Sequence, residues 1–293
     1  MKIKIKTLSL ILTSLLLTSG ISRNLNATEH ATENVNRMIS AGGSITEILY
    51  ALELEEFLVA VDSTSSYPKE TKLLPNVGYF RNLSTEGVMS LKPSLIVSAK
   101  GVGPNIVLKQ LESLGVEIRR YEESIYNLES WNNLIGNIGK DFNRVKKAQQ
   151  LIDETNKSLA KLKNKYGKRE RPINAVTLLS IGQRGPVAAG RNTVPNFLFK
   201  LVNINNIANN IEGYKPFSGE LLAKEKLDIV FIPSHVVDGL GGIKAVCNNS
   251  ILKMAMPKKC NVHVMDGLLL MGFGSRIHQA AEEVAEQANK SPL

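Results

Sequence analysis

The sequence predicts an α/β protein of two similar lobes, each built on a parallel sheet with helices on both faces, joined by one long helix. The first observation behind this prediction is an internal repeat, because Val77–Val97 recurs in altered form as Gly213–Phe231. The second is the alternation of short apolar runs with helical patterns in both halves of the chain, which is typical of parallel sheets. The third is a helical pattern of about 25 residues between the halves. Because two similar lobes leave a cleft between them, we expect the function to lie there.

The two copies of the repeat share a turn, a helix cap and a buried strand. Gly78-Tyr79 aligns with Gly213-Tyr214, and after the loss of one residue Ser84-Thr85-Glu86 aligns with Ser218-Gly219-Glu220. Serine is a favoured N-cap, and a glutamate in the first turn interacts well with the helix dipole. Each copy therefore predicts a Gly-Tyr turn followed by a capped helix and a strand.

The first 27 residues have the layout of a secretory signal peptide. Lys2, Lys4 and Lys6 precede the apolar run Leu8–Leu17, and small or polar residues follow to Ala27. A buried N-terminal helix is the alternative. The run is too short to span a membrane and no cysteine follows it, so we expect an exported protein without a membrane anchor.

Charge and cysteine content narrow the classes of partner. The chain has 36 basic and 27 acidic residues, and without residues 1–27 the basic count falls to 32. No basic run with interleaved aromatics is present, so we expect no nucleic-acid binding, whereas the remaining positive charge favours an anionic small ligand. Cys247 and Cys260 suit a disulfide in an exported chain, worth about 3 kcal/mol in the chain-entropy account; two buried thiols are the alternative.

The N-terminal lobe, residues 28–139, begins as a βαβ unit. The expected elements are strand Arg37–Ala41, helix Ile45–Leu54, strand Phe57–Val61, loop Ser63–Pro75, the first repeat copy, a helix ending at Leu114, and strand Val116–Tyr121. From about Leu128 to Tyr166 the pattern is helical throughout, and Gly167 ends it. We expect residues 140–168 to form the rigid helix that links the lobes.

The C-terminal lobe, residues 169–293, repeats this plan. Its expected elements are strand Ile173–Ile181, glycine-rich loop Gly182–Gly190, helix Thr193–Leu201, a short return at Asn205–Ala208, the second repeat copy, loop Pro233–Gly242, strand Asn261–Met265 and helix Ser275–Asn289. The loop after the second copy lies at the carboxyl end of its strand, where open α/β sheets bind ligands.

Catalytic motifs are missing from the sequence. It contains no G-x-S-x-G elbow, no H-E-x-x-H and no P-loop, so we expect no enzyme activity. The turn Gly42-Gly43-Ser44 has the form of a phosphate cradle, but a plain tight turn explains it better. The four histidines, His30, His235, His263 and His278, are scattered, which disfavours a three-histidine metal site.

Tyr79 stands out because it lies between Gly78 and Phe80 in a turn, with Arg81 two residues on. A free tyrosine has a pKa near 10 and ligates metals poorly at neutral pH, but a cationic neighbour favours the phenolate. A phenolate is a good axial ligand for ferric haem iron. On these residues alone, an ordinary turn remains the simpler interpretation.

Four segments resemble the bacterial haem-binding periplasmic proteins of haem ABC importers, within the class that binds cobalamin and siderophores. They are GYFRNLSTEG at 78–87, AAGRNT at 188–193, GYKPFSGE at 213–220 and GLLLMGFGSR at 267–276. The resemblance covers about residues 35–290, and the G-Y-x-R-x-L-S-x-E-G pattern is its most specific part. It implies the class III periplasmic binding protein fold, with two Rossmann-like lobes bridged by one long helix.

The resemblance also implies a ligand set. Tyr79 becomes the axial ligand of ferric haem, and Arg81 stabilises its phenolate. Where family members often carry an arginine on the second lobe, this chain has His235, which is then a partner of Tyr79 or of a propionate, or a second iron ligand. Arg184 and Arg191 are expected to meet the propionates.

The same resemblance assigns Glu86 and Glu220 to docking on the two subunits of an ABC permease, one contact from each lobe. The implied function is that of a monomeric periplasmic protein that captures haem in the cleft and delivers it to the importer. Alternatives are the same fold binding a ferric siderophore or cobalamin, or an exported α/β enzyme that uses the Gly42–Ser44 turn for a nucleotide.

Overall fold

The computed structural model describes residues 37–121, 125–168, 171, 173–182 and 185–290. The predicted signal peptide and Arg184 lie outside the described residues. None of the described helices combines the length and apolar character that a membrane span requires.

The N-terminal lobe contains a four-stranded parallel sheet of strand order β2-β1-β3-β4. Its elements are β1 (Met38–Ala41), α1 (Gly43–Ala51), β2 (Leu58–Val61), α2 (Thr85–Met89), β3 (Leu95–Ala99), α3 (Asn105–Ser113) and β4 (Glu117–Tyr121). Strands β1 and β3 are short apolar runs whose side chains are buried almost throughout, as expected of the central strands of a sheet covered on both faces.

The helical stretch predicted from Leu128 to Tyr166 forms two helices, α4 (Leu128–Asp141) and α5 (Val145–Tyr166), and α5 is the long helix between the lobes. The helical pattern from Leu128 to Tyr166 is interrupted because Asn143 adopts a positive φ of 53°. The chain then turns back, and Gly139 lies so close to Ala148 that no side chain fits between them. The linking helix α5 has 22 residues, about 33 Å, and is therefore shorter than the expected 140–168.

The C-terminal lobe has a six-stranded mixed sheet in which β5, β7, β9 and β10 are parallel. Its elements are β5 (Ile173–Ser180), β6 (Val187–Ala189), α6 (Val194–Leu201), β7 (Ile204–Asn206), β8 (Tyr214–Pro216), α7 (Gly219–Lys224), β9 (Ile229–Pro233), α8 (Ser234–Gly239), α9 (Ile243–Asn248), α10 (Ser250–Ala255), β10 (Val262–Met265), α11 (Gly267–Met271) and α12 (Ile277–Asn289). Two segments that were expected to be loops contain regular secondary structure. Residues 182–190 contain β6, which pairs antiparallel with β5 and β8, and residues 233–242 contain α8.

The two lobes share one strand order. The N-terminal order β2-β1-β3-β4 corresponds to β7-β5-β9-β10, with the strands taken in the same sequence along the chain. The helix caps also correspond, because the hydroxyls of Ser84 and Ser218 accept bonds of 3.3 Å from the amides of Gly87 and Leu221. The short sequence repeat therefore marks a repeat of the whole lobe.

The floor between the lobes is closed by the connection from α11 to α12. The Trp131 indole donates a 2.9 Å hydrogen bond to the Gly274 carbonyl, and the Phe273 amide donates one of 3.0 Å to the Ser44 hydroxyl. Gly274 is needed because a Cβ there would lie 2.5 Å from the Glu47 carboxylate. One hydrophobic cluster, with Trp131 fully buried in it, runs through both lobes. The lobes are therefore packed against each other below the cleft.

Candidate functional site

A cleft of about 770 Å³ lies between the lobes and takes its lining from both. The lining residues follow β1, β2 and β3 on one side and β9 and β10 on the other, at the carboxyl ends of these strands. This is the edge at which open α/β sheets bind ligands. Another hollow, of about 390 Å³, is lined by glutamate, arginine and lysine side chains, which pair there with each other. The interlobe cleft is the better candidate.

The cleft combines aromatic and apolar walls with a group of hydroxyls. The aromatic and aliphatic side chains are Tyr79, Phe80, Ala99, Tyr126, Leu179, Tyr214, Leu268 and Met271. The hydroxyls belong to Ser44, Ser63, Thr64, Ser66 and Ser234, and the ionisable groups are Arg81, His235 and Asp266 in addition to the tyrosines. Such a mixture suits a large ligand with an apolar body and a few polar substituents.

Tyr79 projects from a turn whose backbone is firmly held. The Gly78 amide bonds the Asn76 side chain at 2.8 Å, its carbonyl accepts from Ser63 at 2.9 Å, and its φ of +83° requires glycine. The Tyr79 carbonyl accepts a 2.7 Å bond from Asn82 as the chain enters a short 3₁₀ turn. With its backbone fixed, Tyr79 leaves 47% of its surface exposed on the cleft wall.

Arg81 lies on the same wall of the cleft, but its guanidinium contacts groups other than the Tyr79 hydroxyl. Its guanidinium carbon is 5.1 Å from the centre of the Phe80 ring, and its Nη1 is so close to Gly101 that a Cβ there would be only 3.0 Å away. Tyr79 itself meets the edge of Phe80 at 5.1 Å. Among the described hydrogen bonds, none joins Arg81 to Tyr79. The Arg81 guanidinium and the Tyr79 ring therefore both pack on Phe80.

A buried carboxylate organises the hydroxyl group at the N-terminal side of the cleft. Asp62 is fully buried and accepts bonds from the Gly42 amide, the Thr64 amide and hydroxyl, and the Ser65 hydroxyl, at 2.7–3.0 Å. The Thr64 hydroxyl in turn accepts from the Gly43 amide at 2.9 Å. The turn Gly42–Ser44 therefore has its first amides occupied by protein groups and shapes the cleft. Asp62 belongs to none of the expected motifs, although an Asp directly after a buried strand is a useful signal of a binding edge.

The C-terminal wall carries a second tyrosine, Tyr214, which the sequence analysis used only to align the repeat. It follows Gly213, whose φ is +73° and whose backbone bonds Gly190 and Arg191 at 2.9 and 2.8 Å. Tyr214 leaves 41% of its surface exposed, yet the enclosing cleft raises its pKa well above the usual range, first by desolvation and then through nearby Tyr126. Its alignment with Tyr79 was the signal that could have identified it.

The other residues expected in the haem site have different positions. His235 lies in the first turn of α8 and lines the cleft, with its ring against Gly267. Arg191 pairs through its backbone with Ile211 and Gly213, is exposed, and is absent from the described lining of the cleft. Among the described residues, no three His, Cys, Asp or Glu side chains converge into a metal site.

Glu86 and Glu220 occupy matching positions in the first turns of α2 and α7, and both are exposed. Glu220 also forms an ion pair of 2.7 Å with Lys224. In the same lobe as Glu220, Cys247 and Cys260 are joined by a disulfide, with their Cα atoms 5.7 Å apart.

Comparison with known proteins agrees with this architecture. The family model of periplasmic binding proteins matches residues 38–253. The structure is similar to that of the periplasmic haem-binding protein RhuT of Roseiflexus sp. RS-1, with a TM-score of 0.80 and 26% identity over 87% of this chain and 98% of that one. It is also similar to the periplasmic haem-binding protein HutB of Vibrio cholerae, with a TM-score of 0.77 and 31% identity over 88% of this chain and 100% of that one.

One protein of similar sequence is named for a different ligand, vitamin B12. The vitamin B12-binding protein of Vibrio parahaemolyticus is 26% identical over 212 residues, which are 72% of this chain and 75% of that one. Proteins of this type bind a ligand for a transporter and do not transform it. The chain therefore belongs to the periplasmic binding protein family, as a two-lobed α/β substrate-binding protein of the ABC transporter type.

Proposed function

We propose that this protein captures haem in the interlobe cleft, outside the inner membrane, and delivers it to an ABC importer. The observation that carries the proposal is the half-exposed phenol of Tyr79 on the cleft wall. Similarity to the haem-binding proteins of Roseiflexus and Vibrio cholerae supports the choice of ligand.

Tyr79 supplies the iron ligand in this proposal. Phenolate oxygen is an established axial ligand of ferric haem, and the described residues contain no cluster of histidine, cysteine and carboxylate groups that would compete for the metal. The guanidinium of Arg81, which packs on the same Phe80 ring as Tyr79, supplies a nearby positive charge for a phenolate bound to the iron.

The remaining lining suits the rest of the haem molecule. Leu179, Leu268 and Met271 offer apolar contact to the macrocycle, while the hydroxyls and His235 offer partners for the two propionates. His235 is thus assigned to the ligand on the C-terminal wall. Arg191 has no role in this proposal, because it does not line the cleft.

Release on docking requires one contact from each lobe on a two-fold permease. Glu86 and Glu220 supply them, since they are exposed and occupy equivalent positions of the repeat, one on each lobe. The helix α5 packs on both α4 and α12 and contains no loop hinge, so the opening motion is small.

The test is an absorption titration of the mature protein with ferric haem, with Tyr79→Phe measured beside it. We expect a saturable tyrosinate-type spectrum for the wild type, and an affinity lower by about 100-fold with an altered spectrum for the variant, because the iron loses its ligand. Tyr67→Phe is the matched control, since Tyr67 is 40% exposed but is not part of the described lining. Equal weak absorption in all three proteins would refute haem as the ligand.

Cobalamin is the second candidate, favoured by the similarity to the vitamin B12-binding protein of Vibrio parahaemolyticus. A cobalamin carrier needs no phenolate ligand. Titration of the same proteins with cyanocobalamin would then give saturable binding that Tyr79→Phe leaves within about threefold of the wild type.

A further inference from the structure

Tyr214 is the one half-exposed aromatic side chain that the C-terminal lobe contributes to the described cleft wall at a position equivalent to Tyr79. Each tyrosine directly follows a glycine of positive φ and precedes a helix capped by a serine. Since the lobes share one strand order, the two side chains approach the same space from opposite lobes.

The backbone of Tyr214 is held as firmly as that of Tyr79, but by different partners. Tyr214 pairs with Ala189 in the antiparallel ribbon of β6 and β8, and Gly213 exchanges hydrogen bonds with the chain at Gly190 and Arg191. The neighbouring Tyr126 stacks edge-on against Phe273 at 5.1 Å, which connects this wall to the interlobe core. The ring of Tyr214 is therefore presented from a rigid aromatic wall.

The two turns differ in where their cation lies. Arg81 comes two residues after Tyr79, whereas in the C-terminal turn Lys215 directly follows Tyr214 and the residue two after it is Pro216. Lys215 is exposed and, as the next residue of strand β8, points to the opposite face from Tyr214. Desolvation in the enclosing cleft raises the pKa of Tyr214, so its phenol keeps its proton and is a poor metal ligand at neutral pH.

We propose that Tyr214 forms the second face of the haem site, where its ring packs against the side of the macrocycle opposite Tyr79 and its phenol does not ligate the iron. This inference rests on the proposed haem function. In this arrangement Tyr214 retains the ligand through aromatic contact that excludes water, and Tyr79 binds the iron.

The experiment compares Tyr214→Phe and Tyr214→Ala with the wild type by ferric haem titration and by the rate of haem transfer to apomyoglobin. Tyr214→Phe keeps the ring, so we expect affinity within about threefold of the wild type and an unchanged tyrosinate spectrum. Tyr214→Ala removes the ring, so we expect about tenfold weaker binding, expressed as faster dissociation, again with the tyrosinate spectrum retained. Lys215→Ala is the control, because adjacent strand residues point to opposite faces.

The outcomes separate the two proposals. A changed spectrum in Tyr214→Phe would make Tyr214 an iron ligand and overturn the inference. Wild-type affinity and dissociation rate in Tyr214→Ala would also overturn it, while the haem function would stand. If the wild type itself bound no haem, both proposals would fail. Circular dichroism of each variant identifies a folding defect, and Tyr214→Leu then replaces the alanine variant with the same expected loss.

Discussion

The Gly-Tyr turns of the two lobes have the same local design and different surroundings. Gly78 and Gly213 both have positive φ, and Tyr79 and Tyr214 both reach the cleft. The N-terminal turn then enters a 3₁₀ turn that contains Arg81, whereas the C-terminal turn enters strand β8. A duplicated backbone can therefore be kept while the chemistry of each copy is set by the residues that follow it.

The lobes also differ in how they are held. The N-terminal sheet is purely parallel, while the C-terminal sheet carries an antiparallel ribbon, and both cysteines of the chain lie in the C-terminal lobe. At the floor of the cleft the lobes share one core. The lobes can therefore act separately at their outer surfaces and as one unit at the shared core.

The largest effect is expected at the ion pair that joins the lobes, between Arg276 and the buried Glu47. Arg276→Ala leaves this carboxylate without its cation and removes the stack on Tyr67, whose ring centre is 3.7 Å away. We expect a loss of about 3–5 kcal/mol in the free energy of unfolding, measured in urea by Trp131 fluorescence. Adding Glu47→Gln should recover much of the loss, since a neutral amide tolerates burial.

This loss should also depend on pH. Desolvation raises the pKa of Glu47 above its usual value, although Arg276 lowers it. With the folded pKa above the unfolded one, stability falls as pH rises from about 4.5 through the folded pKa. Without Arg276 the folded pKa is higher still, so the deficit of Arg276→Ala should grow with pH. A deficit that shrinks with rising pH would contradict this account.

The disulfide should distinguish the C-terminal lobe from its N-terminal counterpart. Replacing Cys247 and Cys260 with serine is expected to remove about 3 kcal/mol, because the reduced unfolded chain gains the entropy of the opened loop. Trp131, the single tryptophan of the chain, lies in the core shared by the lobes. If its urea transition shifts with the double mutant, the lobes unfold together; an unshifted transition means that the C-terminal lobe unfolds separately.

The different position of the cation in the two turns should appear in haem affinity. We expect Arg81→Gln to weaken binding at pH 7 by about tenfold, since the phenolate loses its cationic neighbour. Lys215→Gln removes a charge from the corresponding part of the C-terminal turn and should leave affinity within about twofold. Equal losses would mean that the cations act through overall charge, not through Tyr79.

Variants of Glu86 and Glu220 test whether the two lobes contribute equally to docking on the permease. We expect Glu86→Ala and Glu220→Ala each to slow haem transfer to permease-containing vesicles by about fivefold, with the double variant near the product of the two. The ion pair of Glu220 with Lys224 is fully exposed and should alter this little. Glu112→Ala, at the far end of α3, is the control. An effect confined to one lobe would argue against symmetric docking.

The smallest effect concerns the packing of α12 on α5. Burial lowers the pKa of His278, although Glu282 and Glu154 raise it. With the folded pKa below the unfolded value of about 6.5, stability should fall as pH decreases below 6.5, by at most about 1.4 kcal/mol per pH unit for one proton. His278→Gln should flatten this slope in urea titrations between pH 7 and 5. An identical slope would assign the acid sensitivity elsewhere.

Several features could be predicted because they depend on short stretches of sequence. The Ser84 and Ser218 caps follow from residue type and spacing, and the apolar runs that became β1, β3, β5 and β9 follow from hydrophobic periodicity. The interruption at Asn143 could not be predicted from that periodicity, since α4 and α5 continue the same apolar pattern on both sides of it.

Local spacing along the chain was enough to predict the two-lobed α/β plan, the repeat and the position of Tyr79 in a constrained turn. Which side chains share the cleft depends on the tertiary structure. Tyr214, on β8, lines the cleft, whereas Arg191, which bridges to Glu212 just beyond β6, is absent from the described lining. The docking of the α11–α12 connection on α1 and α4 likewise depends on contacts between residues far apart in the chain, which local patterns do not encode.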